Sequence, residues 1–521
     1  MEIIDNTAVK LTIPEYMIPH IQSNIEKLEV VGQKGNLAEV LIYWGVNEMT
    51  KLNQLVSFRN PLPSPITRDY TWPGTFTPFD HQKITSEFLS INKRAFCFNE
   101  AGTGKTSSAL WAADYLMNLG QIKRVLVICP LSIMYSAWEA DIQNTIMHRS
   151  VGVAHGSQKK RELIIEEPFD FIAINYDGVG IVRETIAKNN FDLIIIDEAN
   201  AYKSPTTARW KTLAKIIKPD TRLWLMTGTP AAQSPVDAFG LAKLVSPQRV
   251  PKFSGAWRDK VMYQVTRFKW TPKRNAKDLV FKALQPAIRF AKNDCLDLPE
   301  VMHQTREVPL TPQVVKYYKL LKEQMLIETA GELISAVNAA SNLTKLLQIS
   351  GGAVYTDKKE VVEFDVKPRL AALNEVIDET QHKILIFVPY RHTIELVNAH
   401  LTKQGFTCEV INGAVSANER RNIFNRFQNF DDPRILIIQP QSASHGVTLT
   451  RADTVVFWSP VMSVEAYLQC IARMDRVGQK NKMTVVHLQG SEVERKMYAM
   501  LQGKVDRHKN LVDLYREEIG L

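Results

Sequence analysis

The apolar run Ala95-Phe96-Cys97-Phe98 is followed by Asn99-Glu100-Ala101-Gly102-Thr103-Gly104-Lys105-Thr106, and then by the helix-forming stretch Ser107 to Leu119. Strand, glycine-bearing loop and helix in this order constrain the fold more than any other feature, because a phosphate-binding loop works at the junction of a buried strand and a helix. Backbone N–H groups of such a loop face the phosphates at the helix N-terminus, a lysine reaches the β and γ phosphates, and the next hydroxyl serves Mg²⁺. Lys105 and Thr106 take those two places, and Gly102, Thr103 and Gly104 form the cradle. Asn99 stands where the general pattern opens with glycine. A Gly-Lys-Thr triplet also occurs in ordinary strand-to-helix turns, so the reading depends on the rest of the chain.

Some 90 residues on, Phe191-Asp192-Leu193-Ile194-Ile195-Ile196 ends in Asp197-Glu198-Ala199-Asn200. Four apolar residues ending in paired carboxylates fit a buried parallel strand that delivers two acids to a site. Asp197 would hold the metal, and Glu198 would orient and deprotonate an attacking water. Taken alone, the pattern equally describes a core strand followed by two solvated acids. Near the C-terminus, Gln469-Cys470-Ile471-Ala472-Arg473-Met474-Asp475-Arg476 places two arginines three apart. On a helix they share one face, where two guanidinium forks converge on a phosphate; the alternative is a pair of surface arginines on an amphipathic helix.

Order and company decide among these readings. Phe79-Asp80-His81-Gln82, the 99–106 loop, Cys129-Pro130-Leu131-Ser132, Asp197-Glu198-Ala199-Asn200, Leu225-Met226-Thr227-Gly228-Thr229-Pro230, Lys383 to Phe387, Asn412-Gly413 with Glu419-Arg420, His445-Gly446-Val447-Thr448-Leu449 and the arginine motif follow one another. In this order they resemble a Swi/Snf-type ATPase of helicase superfamily two, over nearly everything from Trp72 to Met500. The resemblance is to compact phage-like or prophage-like members, carried by Pro63-Ser64-Pro65-Ile66 and Tyr70-Thr71-Trp72-Pro73-Gly74.

The resemblance implies an α/β fold of two RecA-like P-loop lobes with parallel sheets, ATP and Mg²⁺ between them, and hydrolysis that neither lobe performs alone. It assigns adenine recognition to Gln82, nucleotide contact to Gln469, metal to Thr106 and Asp197, catalysis to Lys105, Asp197, Glu198, Arg473 and Arg476, and coupling to Thr227, Thr229 and Gly446. Pro130, Ser132 and Gly413 become candidate DNA contacts. Asn200 in place of histidine, Thr448 in place of asparagine and Ala231-Ala232-Gln233 in place of leucine, glutamine and asparagine depart from the pattern. These departures fall on coupling positions and leave the hydrolytic ones intact.

Charge narrows the partner. The chain of 521 residues carries a formal net charge of +9, and its excess is concentrated between Lys252 and Lys292, where eleven Lys and Arg face Asp259 and Asp278. Such a segment neutralises phosphates and releases counterions. Lys273, Arg274 and Lys277 are its candidate DNA contacts, with a solvated basic face as the alternative. Its aromatics, Phe253, Trp257, Tyr263, Phe268, Trp270, Phe281 and Phe290, either stack bases or form the segment's own core; core is the expectation.

The five cysteines are scattered without Cys-x-x-Cys spacing or clustered histidines, so no zinc site or disulfide framework is expected. No apolar run reaches membrane-spanning length and the start lacks a leader pattern, so a soluble, cytoplasmic protein is expected, in the host cytoplasm if phage-encoded. Organisation is read as a small N-terminal α+β accessory domain (1–66), a first RecA-like lobe (67–246), a helical basic insertion and linker (247–360), a second lobe (361–500) and a C-terminal helix (501–521). Within the first part, Ala8 to Ile13 reads as strand and Glu15 to Leu28 and Val46 to Val56 as helices.

Three functions are compatible with these residues. The first is an ATP-dependent translocase on duplex DNA that remodels forks, junctions or bound proteins, contacting backbone because a motor must accept every sequence. The second is a strand-separating helicase, which needs a wedge that the sequence does not reveal. The third is a nucleotide-dependent DNA-binding or partner-recruiting module with little turnover, against which the retained Lys105, Asp197, Glu198, Arg473 and Arg476 argue. No membrane partner is expected, and any protein partner of the N-terminal domain is unidentified.

Overall fold

The computed structural model describes the chain except residues 57–61, 229, 232–233, 266–269, 297, 330–335, 356–359, 443–446 and 504–521, together with the side chains of 132, 136, 325–340 and 417. Thr229, Gly446, Phe268 and most of the expected C-terminal helix lie outside the described residues. The chain divides between Cys295 and Leu296 into two units.

The first unit begins with β1 (Glu2–Ile4), β2 (Ala8–Pro14), β3 (Leu28–Lys34) and β4 (Leu37–Tyr43), an antiparallel sheet in the order β1-β2-β4-β3. Period-two burial puts Val9, Leu11 and Ile13 on the same face as Ala38, Val40 and Ile42. The helix Val46–Leu55 covers that face with Met49 and Leu52. The helix expected from Glu15 to Leu28 is only a short turn, Glu15–Met17, and five residues, Ile18–Gln22. Ser23 Oγ and Asn24 Nδ2 both donate to the His20 carbonyl and end it, as residues that compete for backbone acceptors do.

The larger sheet of this unit contains β5 (Arg94–Cys97), β6 (Val125–Cys129), β7 (Val151–Ala154), β8 (Phe171–Asn175), β9 (Leu193–Ile196) and β10 (Arg222–Met226). After a hairpin of β11 (Met262–Gln264) and β12 (Trp270–Pro272), β13 (Ala287–Ile288) returns to it. Its order is β13-β5-β10-β9-β6-β8-β7, every neighbouring pair parallel. Both faces are covered, which is why β6 and β9 read as continuous apolar runs. Helices Asp80–Ile91 and Lys105–Asn118 lie on one face.

The basic segment packs into this unit: Trp257, Val261, Ala276, Ala283 and Leu284 join the core on the opposite face, and the Trp257 indole donates to the Pro235 carbonyl at 3.2 Å. It is mixed rather than purely helical. Its aromatics divide, against the expectation of a common core. Trp257 is buried and Trp270 packs on the core beneath the Arg258 guanidinium, 4.1 Å from the ring centre. Phe253, Tyr263 and Phe281 are 67%, 49% and 69% exposed. Their positions on a short hairpin and amphipathic helices leave one face of each element outside the core.

The second unit holds β14 (Val301–Glu307), the hairpin of β15 (Ala353–Tyr355) and β16 (Val361–Glu363), and β17 (Lys383–Phe387), β18 (Cys408–Ile411), β19 (Ile435–Ile438), β20 (Ala452–Phe457) and β21 (Met483–Gln489). Its parallel sheet runs β14-β21-β20-β17-β19-β18. The helix Val464–Ile471 is anchored to it through Tyr467, whose hydroxyl meets His487 Nε2 at 2.8 Å. Among the described residues no helix is long and apolar enough to cross a membrane.

Candidate functional site

The loop after β5 has the backbone that its glycines predict. Gly102 and Gly104 take φ of +88° and +78°, a region open to glycine at little cost, and Gly104 caps the helix Lys105–Asn118. A Cβ at Gly104 would lie 1.9 Å from Gln82 Nε2, so the glycine also admits the Gln82 side chain. Gln82 is itself clamped: its Oε1 accepts the Phe79 N–H at 2.9 Å and its Nε2 donates to the Thr103 carbonyl at 3.3 Å. His81 Nε2 meets the same carbonyl at 2.8 Å. Lys105 Nζ donates to the carbonyls of Asn99 and Glu100 at 2.9 and 3.1 Å, which keeps the ammonium inside the loop. Thr106 follows, half-buried in the first helical turn.

Asp197 sits at the end of β9, buried, its backbone N–H on the Ile128 carbonyl of β6. Burial pushes its carboxyl above the usual range, opposed by the Lys105 ammonium, by the Trp138 indole and by the Glu198 N–H. Trp138 Nε1 donates to Oδ2 at 3.1 Å and the Glu198 N–H to Oδ1 at 2.9 Å. Trp138 was assigned no role from the sequence, and Glu198 was assigned one only through its carboxylate. Trp138 reaches Asp197 from Met134–Glu139, a π-helical segment directly after the turn Leu131–Ile133, and π segments are frequent at functional sites. Glu198 adopts φ +48°, left-handed for a residue with a Cβ, at a cost of order 1–2 kcal/mol. Tyr176 braces that turn, its hydroxyl shared between the carbonyls of Asp197 and Glu198 at 2.7 and 3.2 Å. Thr227 is buried with its N–H on the Cys97 carbonyl, and a Cβ at Gly228 would stand 3.4 Å from the Ala101 nitrogen, so the 227–228 strand end lies against the loop. Lys105, Thr106, Asp197, Thr227 and Gln82 are thus gathered around one strand-to-helix junction.

In the second unit the arginines depart from the expected helix. The helix ends at Ile471, and Arg473 and Arg476 occupy the turn after it. The Arg473 carbonyl is drawn out of helical register by the Leu449 N–H at 2.8 Å, and Gly478 at φ +98° completes the reversal. The two arginines still face one neighbour. Arg473, 3% exposed, donates from Nε to the Gln469 carbonyl and from Nη1 to the Val447 carbonyl at 2.9 and 3.2 Å. Arg476 Nη1 reaches Thr448 Oγ1 at 3.4 Å. The turn is therefore built on the Val447–Leu449 loop.

The candidate DNA contacts are spread more widely. Pro130 is buried at the end of β6, and Ser132 lies in the turn that leads into the π segment. Gly413 is exposed, with its N–H on Gln439 Oε1 at 3.3 Å. Arg420, not singled out from the sequence as a site residue, donates to the carbonyls of Asn412 and Val415 and holds that loop from the helix Ala417–Asn429. Arg274 and Lys277 are exposed, whereas Lys273 donates to the Asp259 carbonyl at 2.6 Å.

Comparison with known proteins places this arrangement. Residues 82–351 match the SNF2-related domain and residues 368–478 the helicase conserved C-terminal domain. Putative protein p41 of Acyrthosiphon pisum secondary endosymbiont phage 1 is 26% identical over 424 residues, 77% of this chain and 89% of that protein. The DNA annealing helicase and endonuclease ZRANB3 of Homo sapiens is 23% identical across 83% of this chain and 40% of its own length. An uncharacterized ATP-dependent helicase, MG018 of Mycoplasma genitalium, is 24% identical across 75% of this chain and 37% of its own. The chain thus spans less than half of those larger relatives and most of the phage protein. The solved Sulfolobus solfataricus SWI2/SNF2 ATPase core in complex with dsDNA shares 21% identity at a TM-score of 0.42, covering 85% of this chain and 95% of that one. With the SNF2-related match alone extending over more than half of its residues, the chain belongs to the SNF2-related family and is a DNA-dependent ATPase of the Swi/Snf type in helicase superfamily two.

Proposed function

We propose that this ATPase is a duplex-DNA translocase that uses hydrolysis to remodel forks, junctions or DNA-bound proteins. The observation that supports the reading is the gathering of Lys105, Thr106, Asp197 and Thr227 around one strand-to-helix junction, together with a basic segment built into the same unit.

The residues fit MgATP. Two positive-φ glycines open the loop, and Lys105 Nζ rests on two neutral carbonyls that phosphate oxygens would outcompete as charged acceptors. Thr106 and Asp197 would hold Mg²⁺, which supplies charge neutralisation on the phosphates. Gln82, already aligned by Phe79 and Thr103, reads the adenine edge. Asp197 is kept oriented by Trp138, and the Glu198 backbone is fixed by Tyr176 so that its carboxylate aligns a water and takes its proton. Arg473 and Arg476 serve the same reaction as arginine fingers, stabilising charge on the transferring group. Thr227, with Thr229 and Gly446, passes the change in nucleotide state on. Contacts from Ser132, Gly413, Arg274 and Lys277 to the DNA backbone make movement indifferent to sequence, with the buried Pro130 shaping the turn that carries Ser132.

Strand separation is the second reading, with which the helicase C-terminal match is equally compatible. Triplex displacement and forked-duplex unwinding, run side by side on the same preparation, separate the two: the translocase reading predicts displacement of a third strand without unwinding, and efficient unwinding with no triplex displacement overturns it.

A further inference from the structure

We infer that Asn99, at the position where the general loop pattern has glycine, is a positioning residue that ties the nucleotide loop to the connector leading into the second unit. The inference rests on ATP binding at the 99–106 loop and adds how occupancy of that loop is communicated along the chain.

Asn99 is fully buried, so its amide must be satisfied within the protein. Its Nδ2 donates to Thr85 Oγ1 at 2.8 Å and its Oδ1 accepts the Phe290 N–H at 3.0 Å, while its backbone carbonyl accepts Lys105 Nζ at 2.9 Å. One residue therefore touches the helix that carries Gln82, the phosphate lysine and the chain beyond β13. That chain is laid along the loop. The Phe98 N–H donates to the Ile288 carbonyl at 2.8 Å and the Glu100 N–H to the Phe290 carbonyl at 3.0 Å. The Glu100 carboxylate accepts the Lys292 N–H at 3.1 Å and pairs with Arg289 at 3.6 Å. The Phe290 ring meets the edge of His81, centres 5.8 Å apart, and His81 bonds Thr103 on the loop. Three residues after Lys292 the first unit ends at Cys295.

A glycine at position 99 would supply the same carbonyl to Lys105 but would leave the Phe290 N–H without its acceptor. When phosphates draw Lys105 Nζ off the Asn99 and Glu100 carbonyls, the backbone of Asn99 is released on one side while its amide still grips Phe290 on the other. A shift of the loop is thereby passed to residues 288–292, and by reciprocity a pull on the connector alters the loop.

The test uses the full chain and MgATP. Asn99→Ala removes both amide bonds; Phe290→Pro removes the N–H that Asn99 accepts together with the ring, and Phe290→Ala, which removes the ring and keeps the N–H, isolates the effect of the N–H. In the parent, ATP slows hydrogen exchange both at 101–106 and at 286–292. In Asn99→Ala and Phe290→Pro, protection at 101–106 persists and protection at 286–292 is lost, with kcat down ~10-fold and the KM for ATP changed less than ~3-fold. Protection of 286–292 that is absent in the parent, or that survives in either variant, overturns the proposal, as does a variant that loses thermal stability with kcat unchanged. If Asn99→Ala does not fold, the parent and Phe290→Pro decide. Absence of ATP protection at 101–106 in the parent refutes the nucleotide site itself, a different failure.

Discussion

Replacing Trp138 by Phe deletes one hydrogen bond to Asp197 and keeps an aromatic ring in the buried π segment. The bond runs from a neutral donor to a carboxylate that burial already disfavours in its charged form, and Trp138 is one of only two donors that the structure gives that carboxylate among the described residues. Hydrogen bonds to charged groups are worth ~1.5–3 kcal/mol, which is ~10- to 100-fold in an equilibrium constant. Loss of an outer partner of a metal-holding side chain gives the same range, ~10- to 100-fold in metal affinity or activity. Trp138→Phe should therefore lower DNA-stimulated turnover by about that factor at limiting Mg²⁺, with partial recovery as Mg²⁺ is raised. The assay is steady-state ATP hydrolysis titrated with Mg²⁺ at fixed ATP and saturating duplex, with a thermal melt to confirm that the core has tolerated the smaller ring. A folded variant with the parent's rate and the parent's Mg²⁺ dependence would show that Trp138 is a packing residue and that Asp197 is positioned by other means.

Further outcomes follow from the same geometry. Lys105→Ala should abolish tight ATP binding, read by displacement of a fluorescent nucleotide, because the ammonium is the one lysine held inside the loop by Asn99 and Glu100. Arg473→Ala or Arg476→Ala should cut turnover by ~10³ or more while leaving nucleotide binding near the parent's. A chain ending at Cys295 should fold, since it keeps Trp257, Leu284 and β13 in place, yet hydrolyse ATP far more slowly than the full chain; truncation at Ser246 would strip those core residues and test only stability. Charge reversal of Arg274 and Lys277, with or without Lys273, should weaken duplex binding and lower the log-log salt slope by roughly one unit per lost phosphate contact. Unchanged salt-titrated affinity would make this a solvated face.

What the sequence made legible was whatever local pattern and chain order carry. The run Leu193–Ile196 announced a buried parallel strand because both faces of the sheet are covered. The 102–104 loop was legible as a phosphate cradle from the order strand, glycines, Lys105-Thr106 and helix. Among the strands that escaped notice are β3, β4, β7, β13 and β14. β13 is two residues long and is fixed by pairing with β5 across nearly two hundred positions, and β14 carries His303, Gln304 and Arg306 along a sheet edge where polar residues face outward. The arginine turn was misread for a similar reason: helical spacing in Gln469 to Arg476 is a local signal, whereas the pull of Leu449 on the Arg473 carbonyl is a tertiary one. Trp138 and Tyr176 gave no sign of their bonds to the Asp197–Glu198 turn, since a tryptophan in a helical stretch and a tyrosine after a strand read as core. Asn99 was visible as a departure, but its partners Thr85 and Phe290 lie 14 and 191 positions away.

The most direct test is ATP turnover of the full chain and of Glu198→Gln, each measured without DNA and with single-stranded, duplex and forked DNA. Duplex or forked DNA should raise the parent's rate well above that with single strands, and Glu198→Gln should bind ATP and DNA but lose turnover, because a water-orienting carboxylate acts on the transition state rather than on binding. A parent rate indifferent to duplex DNA, or a Glu198→Gln protein that turns over ATP near the parent's rate, would contradict these expectations.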